Sequence, residues 1–367
     1  MHYKKIIHIS DTHILPHRTK NRDRLRETSQ IIAQRFNSRN FIVLITGDIV
    51  DGANLKSSID KEFSRAEEAL QPLISKGFDI KTVPGNHDFG YLGIRFQEKN
   101  KDRYMKFHKD ICGVPAKFPW EIEYKYSDGN IAWVLILIDS CYHVDDRDDR
   151  KFAQGRIHVE QREKLRNILS KLKESKYPCV IAFHHDYTLD IDESLKLIDY
   201  KEFKEVLDKR ESQVTLCFGH RHVQNIGNAS GGNRSLRIIR AANMNSGVGK
   251  LIKKFWPGAS SNSYQYRAIL VDPVLQTADT IDVRTYVETP ISSDQGGGSA
   301  QPAYRDEAQR PAQGKPPARR DEPQRPAQGK PPARRDEPPE NDDVENILYS
   351  IFKLIIKLIK KLFGKKT

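Results

Sequence analysis

Five short blocks hold the residues whose types and spacing could do chemistry. They are Asp11-Thr12-His13, Gly47-Asp48-Ile49-Val50-Asp51, Gly85-Asn86-His87-Asp88, His184-His185 and Gly219-His220-Arg221-His222. Their Asp, Asn and His side chains make up the N/O donor set that suits Zn, Mn, Fe or Ni. In extended backbone, residues two apart point the same way, so Asp11 with His13, or His220 with His222, can reach one ion. One block alone carries little, because Asp-x-His pairs and Gly-Asp turns are common. Five blocks in this order, each after an apolar run, make a strong pattern.

The elements that must position them are legible as patterns. Residues 5–9, 41–46, 79–83, 132–138, 179–183 and 214–218 read as short buried strands rich in Ile, Val and Leu. Amphipathic stretches near 22–37, 60–75, 159–174 and 200–210 read as helices, with Leu165, Ile168, Leu169 and Leu172 on one face. Further strands are expected near 235–241, 266–272 and 279–287, and the Gly-rich run Ser230–Asn233 reads as a hairpin turn. Strand-helix alternation followed by strand-rich sequence predicts α/β layering with more than one sheet. The carboxyl ends of strands in such sheets converge on one crevice, so residues far apart in sequence can meet there.

On these motifs, over about residues 4–285, the chain resembles the calcineurin-like metallophosphoesterase family. Within it, the bacterial cyclic-nucleotide phosphodiesterase branch is the most similar. ISDTH, GNHD, the doubled His and GHxH carry that likeness, with Asp139-Ser140 ahead of Gly155-Arg156-Ile157 and Gln161. The resemblance implies a four-layer α/β/β/α sandwich with the site at loops on one edge. It implies that Asp11, His13 and His222 hold one metal, that Asn86, His184 and His220 hold a second, and that Asp48 bridges both. His87 would sit beside the ions and serve the leaving oxygen, with Asp51 orienting it. Two divalent ions (Mn, Fe or Zn) roughly 3.5–4 Å apart would share a bridging hydroxide and clamp phosphate oxygens. His185 is expected to line the pocket or to be structural, and Asp186 departs from the Pro that the family often has there. Arg221 could touch a phosphate or be a solvated loop residue. His2, His8, His17, His108, His143 and His158 match no motif and read as surface or packing residues.

Composition divides the chain into three. Residues 1–289 hold nearly all the aromatics and all 4 Cys, and form the expected catalytic domain. No CxxC pair is present, so Cys112, Cys141, Cys179 and Cys217 read as reduced thiols of a cytosolic protein. The N-terminal MHYKKIIHIS lacks the apolar stretch of a signal peptide, and no window reaches the roughly 18 uncharged apolar residues of a spanning helix. Residues 290–343 are a Pro-rich linker, opened by GGGS at 296–299 and built on a repeat of 15 residues: RDEAQRPAQGKPPAR at 305–319 recurs at 320–334 with Pro323 for Ala308. Its apolar content is too low for a core, so it is expected to be disordered. Residues 344–367 read as a cationic amphipathic helix. Leu348, Ile351, Phe352, Ile355, Ile359, Leu362 and Phe363 share one face, and Lys353, Lys357, Lys360 and Lys361 lie opposite.

The net charge of +12 favours anionic partners. The reading that joins these features is a metal-dependent phosphodiesterase for cyclic nucleotides or other small phosphodiesters. It would be cytoplasmic and peripheral on the inner face of the membrane, held reversibly to anionic lipid by 344–367. Alternatives are a pyrophosphohydrolase of a lipid-linked nucleotide of the UDP-diacylglucosamine type, and a nuclease, for which no capping domain is evident. A different class is a membrane-active or interaction protein with a regulatory metal site.

Overall fold

The computed structural model describes residues 2–15, 19–52, 58–91, 95–141, 153–175, 177–187, 196–208, 214–222, 224–229, 236–241 and 267–287. The repeats, the C-terminal amphipathic segment and the Ser230–Asn233 run lie outside them, as do His17 and His143.

The first half of the chain builds one sheet. Strands β1 (Lys5–Ile9), β2 (Phe41–Thr46) and β3 (Asp79–Val83) run parallel, linked by helices α1 (Thr19–Arg35) and α2 (Ile59–Ser75). After β3 come a short helix α3 (Asn86–Phe89), a small ladder of β4 (Gly90–Tyr91) with β5 (Arg95–Phe96), and helix α4 (Glu98–Cys112). The second sheet is built from β6 (Trp120–Lys125), β7 (Ile131–Leu137), β8 (Cys179–Ala182), β9 (Val214–Phe218), β10 (Asn225–Ala229) and β11 (Leu236–Arg240), with helices α5 (Val159–Ser175) and α6 (Tyr200–Asp208). Its order is β10-β11-β9-β8-β7-β6. Its four central strands are parallel, and β10 and β6 are antiparallel edges. The chain then returns to the first sheet as β12 (Arg267–Asp272) and β13 (Thr277–Asp282), giving the order β13-β12-β1-β2-β3.

Alternation along the strands explains the layering. Ile7, Ile9, Val43 and Ile45 face one way and pack with Leu25, Ile32, Phe63 and Leu70 of α1 and α2. Ile6, Ile42 and Leu44 face the other way and pack against Trp133, Leu135, Val180 and Cys217 of the second sheet. That sheet turns Val134, Ile136, Ile181 and Leu216 outward onto Leu165, Leu169, Phe203 and Val206 of α5 and α6. Both faces of each sheet are therefore covered, and the central strands read as unbroken apolar runs. The result is helix, sheet, sheet, helix, with two mixed sheets. Among the described residues, no helix is long and apolar enough to cross a membrane.

The last strand differs from expectation. It ends at Asp282 rather than running to 287. The Asp282 carboxylate accepts the Arg284 N–H at 3.0 Å, and its carbonyl accepts the Thr285 N–H at 3.0 Å, closing a turn. Cys141, Cys179 and Cys217 are buried thiols, and Cys112 is half-buried.

Candidate dinuclear metal centre

The loops leaving β1, β2, β3, β8 and β9 meet at the carboxyl ends of the parallel strands, and they bring three groups of ligand atoms together. Asp11, His13, Asp48 and His222 form one, Asp48, His184 and His220 form a second, and His13, Asp51 and His87 form a third beside them. In the first, His13 Nε2 lies 3.0 Å from His222 Nε2, and His222 Nε2 lies 3.2 Å from Asp11 Oδ1. In the second, His184 Nε2 faces His220 Nδ1 at 3.1 Å and Asn86 Oδ1 at 3.1 Å. Asp48 Oδ2 belongs to both, 3.7 Å from His13 Nε2 and 3.2 Å from His184 Nε2. The other oxygen of Asp48 is fixed by the His87 main-chain N–H at 2.9 Å.

These atoms fit a metal pair. Ligand bonds of about 2.0–2.2 Å put neighbouring donors on one ion roughly 3–3.6 Å apart, close to the spacing found. The ring orientations agree. His184 Nδ1–H donates to the Thr46 carbonyl at 2.7 Å, which leaves the Nε2 lone pair facing inward. Lone pairs converging at such distances repel unless a cation lies between them. The charge field says the same: burial opposes protonation of His184, yet Asp48, Asp11 and the Thr46 carbonyl outweigh it and raise its pKa to about 9.

Holding the donors there strains the backbone. Asp11 (φ 55°), His13 (41°), Asp48 (51°), His220 (71°) and His222 (57°) all sit in the left-handed region. Among the described residues only Ala153 and Gln276 share it without being glycine. Such a conformation costs about 1–2 kcal/mol for a residue with a Cβ, and clusters of it mark functional sites. Two glycines permit the close packing between these loops. A Cβ on Gly85 would fall 2.2 Å from Asp48 Oδ1, and one on Gly47 (φ 82°) would fall 2.6 Å from the Gly85 nitrogen.

His87 is partly exposed beside the cluster, and its Nδ1 lies 2.9 Å from the Asp51 carbonyl oxygen. Burial disfavours its charged form, but Asp48 and Asp51 prevail and its pKa is raised. The Asp51 carboxylate lies nearer to His13 than to His87, at 3.5 against 4.0 Å. Arg221 points towards Asp186, with Nη1 3.6 Å from Oδ2. Arg240 Nη2 reaches the same oxygen at 2.8 Å. His8 and His108 are buried and hydrogen-bonded to Thr46 and Thr82, whereas His2 and His158 are exposed.

One supporting residue carried no recognised role in the sequence. Asp88 accepts the main-chain N–H groups of Ile49 (2.9 Å), Val50 (3.1 Å) and Gly85 (2.8 Å), clipping the β2 and β3 loops together. Burial and the nearby Asp48 charge push its pKa up to about 7 against those donors. A carboxylate three residues after Gly85 is a capping signal that could have found it.

Residues 4–224 match the family described as calcineurin-like phosphoesterase. The chain belongs to that family. Calcineurin-like phosphoesterases use divalent metals, and the His/Asp groups above could hold two. Among solved structures, the chain is similar to a dimetal phosphatase from Danio rerio at 15% identity, TM-score 0.50, covering 76% of this chain and 99% of that one. A 5'-nucleotidase from Candida albicans SC5314 aligns at 12% identity and TM-score 0.44, over 77% of this chain and 52% of that one. An NAD nucleotidase from Haemophilus influenzae aligns at 13% identity and TM-score 0.42, over 76% of this chain and 49% of that one. At such identities the likeness is one of fold. No curated protein matches the sequence.

Proposed function

We propose that this calcineurin-like phosphoesterase is a phosphodiesterase for cyclic nucleotides or other small phosphodiesters. The observation that carries the reading is Asp48, whose Oδ2 is common to two convergent donor groups. We assign Asp11, His13 and His222 to one ion, Asn86, His184 and His220 to the other, and Asp48 to both. Two Mn, Fe or Zn ions bound there would acidify water and neutralise charge on phosphate oxygens.

The chain's own residues supply the rest. His87 Nδ1–H is engaged by the Asp51 carbonyl, so Nε2 is the atom free to meet substrate. With Asp48 and Asp51 favouring its charged form, His87 can carry a proton on Nε2 and give it to the leaving oxygen. His184 and Asp48 are fully or almost fully buried, which excludes bulk water from behind the ligands.

The place of action is part of the proposal. The lysine-faced segment 344–367 suits an anionic membrane surface, and the Pro-rich 290–343 would let the catalytic domain range over it. The proposed location is the inner, cytoplasmic face of the membrane. The test is full-length protein reconstituted with Mn, Fe or Zn and offered cyclic nucleotides, bis(p-nitrophenyl) phosphate, a UDP-diacylglucosamine-type lipid and DNA. Turnover of cyclic nucleotides above the others supports the reading. Preference for the lipid-linked pyrophosphate or DNA replaces the substrate class, and hydrolysis of none with any metal overturns the enzyme.

A further inference from the structure

The doubled histidine leaves His185 without a part in any of the donor groups. It is fully buried, and its ring lies next to both His184 and His220, with centroids 5.1 and 4.7 Å away. Its Nε2 has no hydrogen-bond partner among the described residues, and neither has Nε2 of His220.

Ser140, just after β7, explains the ring. Its Oγ accepts the main-chain N–H of His184 at 3.1 Å and of His185 at 3.2 Å, and it lies 2.9 Å from His185 Nδ1. A hydroxyl has one proton and two acceptor lone pairs. The two N–H groups use both lone pairs, so the proton must go to His185 Nδ1. His185 is then the neutral tautomer with its proton on Nε2. Neither nitrogen is left to bind a metal.

Gly155 presses on the ring so closely that a Cβ there would fall 2.2 Å from Cγ and 2.6 Å from Nδ1. Gly155 is itself tied to its neighbours, donating to the Lys196 carbonyl at 3.1 Å and accepting from Ile198 N–H at 2.9 Å. Arg156 N–H returns to the Ser140 carbonyl at 2.9 Å. Gln161 brackets Asp139, accepting from its N–H at 3.1 Å and donating to its carbonyl at 2.8 Å.

We propose that Ser140, His185 and Gly155 form a positioning unit for the second metal. Ser140 pins the main chain at His184 and fixes the His185 tautomer. His185, backed by Gly155, is a neutral wedge that holds the His220 ring with Nδ1 facing inward. The proposal rests on the dinuclear reading of the site and adds a role for residues that bind neither metal nor substrate.

Two measurements on the full-length chain test it. In protein labelled with 15N-histidine, His185 is expected to show a protonated Nε2 and an unprotonated Nδ1, and neither should take the large shift of a zinc-bound nitrogen. The His184 and His220 resonances should shift. Ser140→Ala should turn His185 into a tautomer mixture, and Gly155→Ala should displace its ring. Each should weaken retention of one of the two metals by about 10- to 100-fold in a graded chelator series. Circular dichroism reports whether each variant is folded, and the wild-type spectrum tests the tautomer even if a variant is not. A His185 nitrogen with the large shift of a zinc-bound nitrogen, a protonated Nδ1, or folded variants that both hold two metals as tightly as wild type would overturn the proposal. Wild-type protein that binds no metal overturns the dinuclear reading instead, and the tautomer is still read in that metal-free sample.

Discussion

Oδ1 of Asp51 stands 3.5 Å from Nδ1 of His13. The same carboxylate approaches His87 only to 4.0 Å. His87 is instead oriented by the main-chain carbonyl of the same residue, at 2.9 Å. One residue thus faces two histidines, hydrogen-bonding His87 through its backbone and standing at ion-pair distance from His13 through its side chain. Asp51→Asn should leave His87 in place and loosen His13. The expected result is a metal affinity about 10-fold weaker or more, with turnover per bound metal changing less. Metal titration alongside turnover checks this. Unchanged affinity with a turnover loss like that of His87→Ala would return the carboxylate to His87.

His87→Ala should separate chemistry from metal binding. Turnover is expected to fall by about 10²- to 10⁴-fold, the range for losing a general acid. Metal content, read by elemental analysis, should stay near two per chain. A drop in metal content would make His87 a ligand.

The donors come from both sheets. Asp48 and Asn86 follow strands of the first, and His184 and His220 follow strands of the second. Bound metal should therefore tie the sheets together. At about 100 times its dissociation constant, one ion adds about 2.7 kcal/mol to stability. Chelation should lower the melting temperature by several degrees. Asp48→Ala should lose both ions and show a melting temperature that no longer responds to chelator. A chelator-sensitive Asp48→Ala would remove Asp48 from the bridging position.

His108 should make the fold sensitive to acid. Burial first, and Lys81 second, lower its pKa to about 4 from the usual 6.5. Between those values the unfolded chain binds the proton and the folded chain does not. The stability is complete above about pH 6.5 and is lost progressively as pH falls towards 4, by up to about 3 kcal/mol. His108→Asn, which can keep an acceptor for Thr82, should flatten that slope. Urea unfolding in chelator at pH 7.5 and pH 5 measures it, and an unchanged slope would assign the loss to other groups.

Removing residues 340–367 should abolish binding to vesicles of anionic lipid and leave hydrolysis of a soluble phosphodiester within about 2-fold. Binding that survives the deletion would move the membrane contact to the catalytic domain. Loss of hydrolysis would tie the segment to catalysis.

Much of the fold was legible because its central strands are unbroken Ile/Val/Leu runs, which follows from burial on both faces. Two of the elements missed have mixed faces. Helix α4 buries only Tyr104, Phe107, His108 and Asn100 among many charges. Strand β6 alternates Trp120, Ile122 and Tyr124 with Glu121, Glu123 and Lys125 at an edge. The candidate ligands were legible because their motifs are local. The Ser140 hydroxyl was not, since its partners lie more than 40 residues away in sequence and only their convergence reveals the tautomer.

The left-handed backbone at Asp11, His13, Asp48, His220 and His222 has an evolutionary consequence. Glycine would relax each of these positions. Variants selected only for surviving heat, with no demand on turnover, should drift towards glycine there, beginning with partly exposed His222. Long-term descendants of this site can be told apart by that drift: a lineage that keeps side chains at all five positions is still being selected for what those side chains hold.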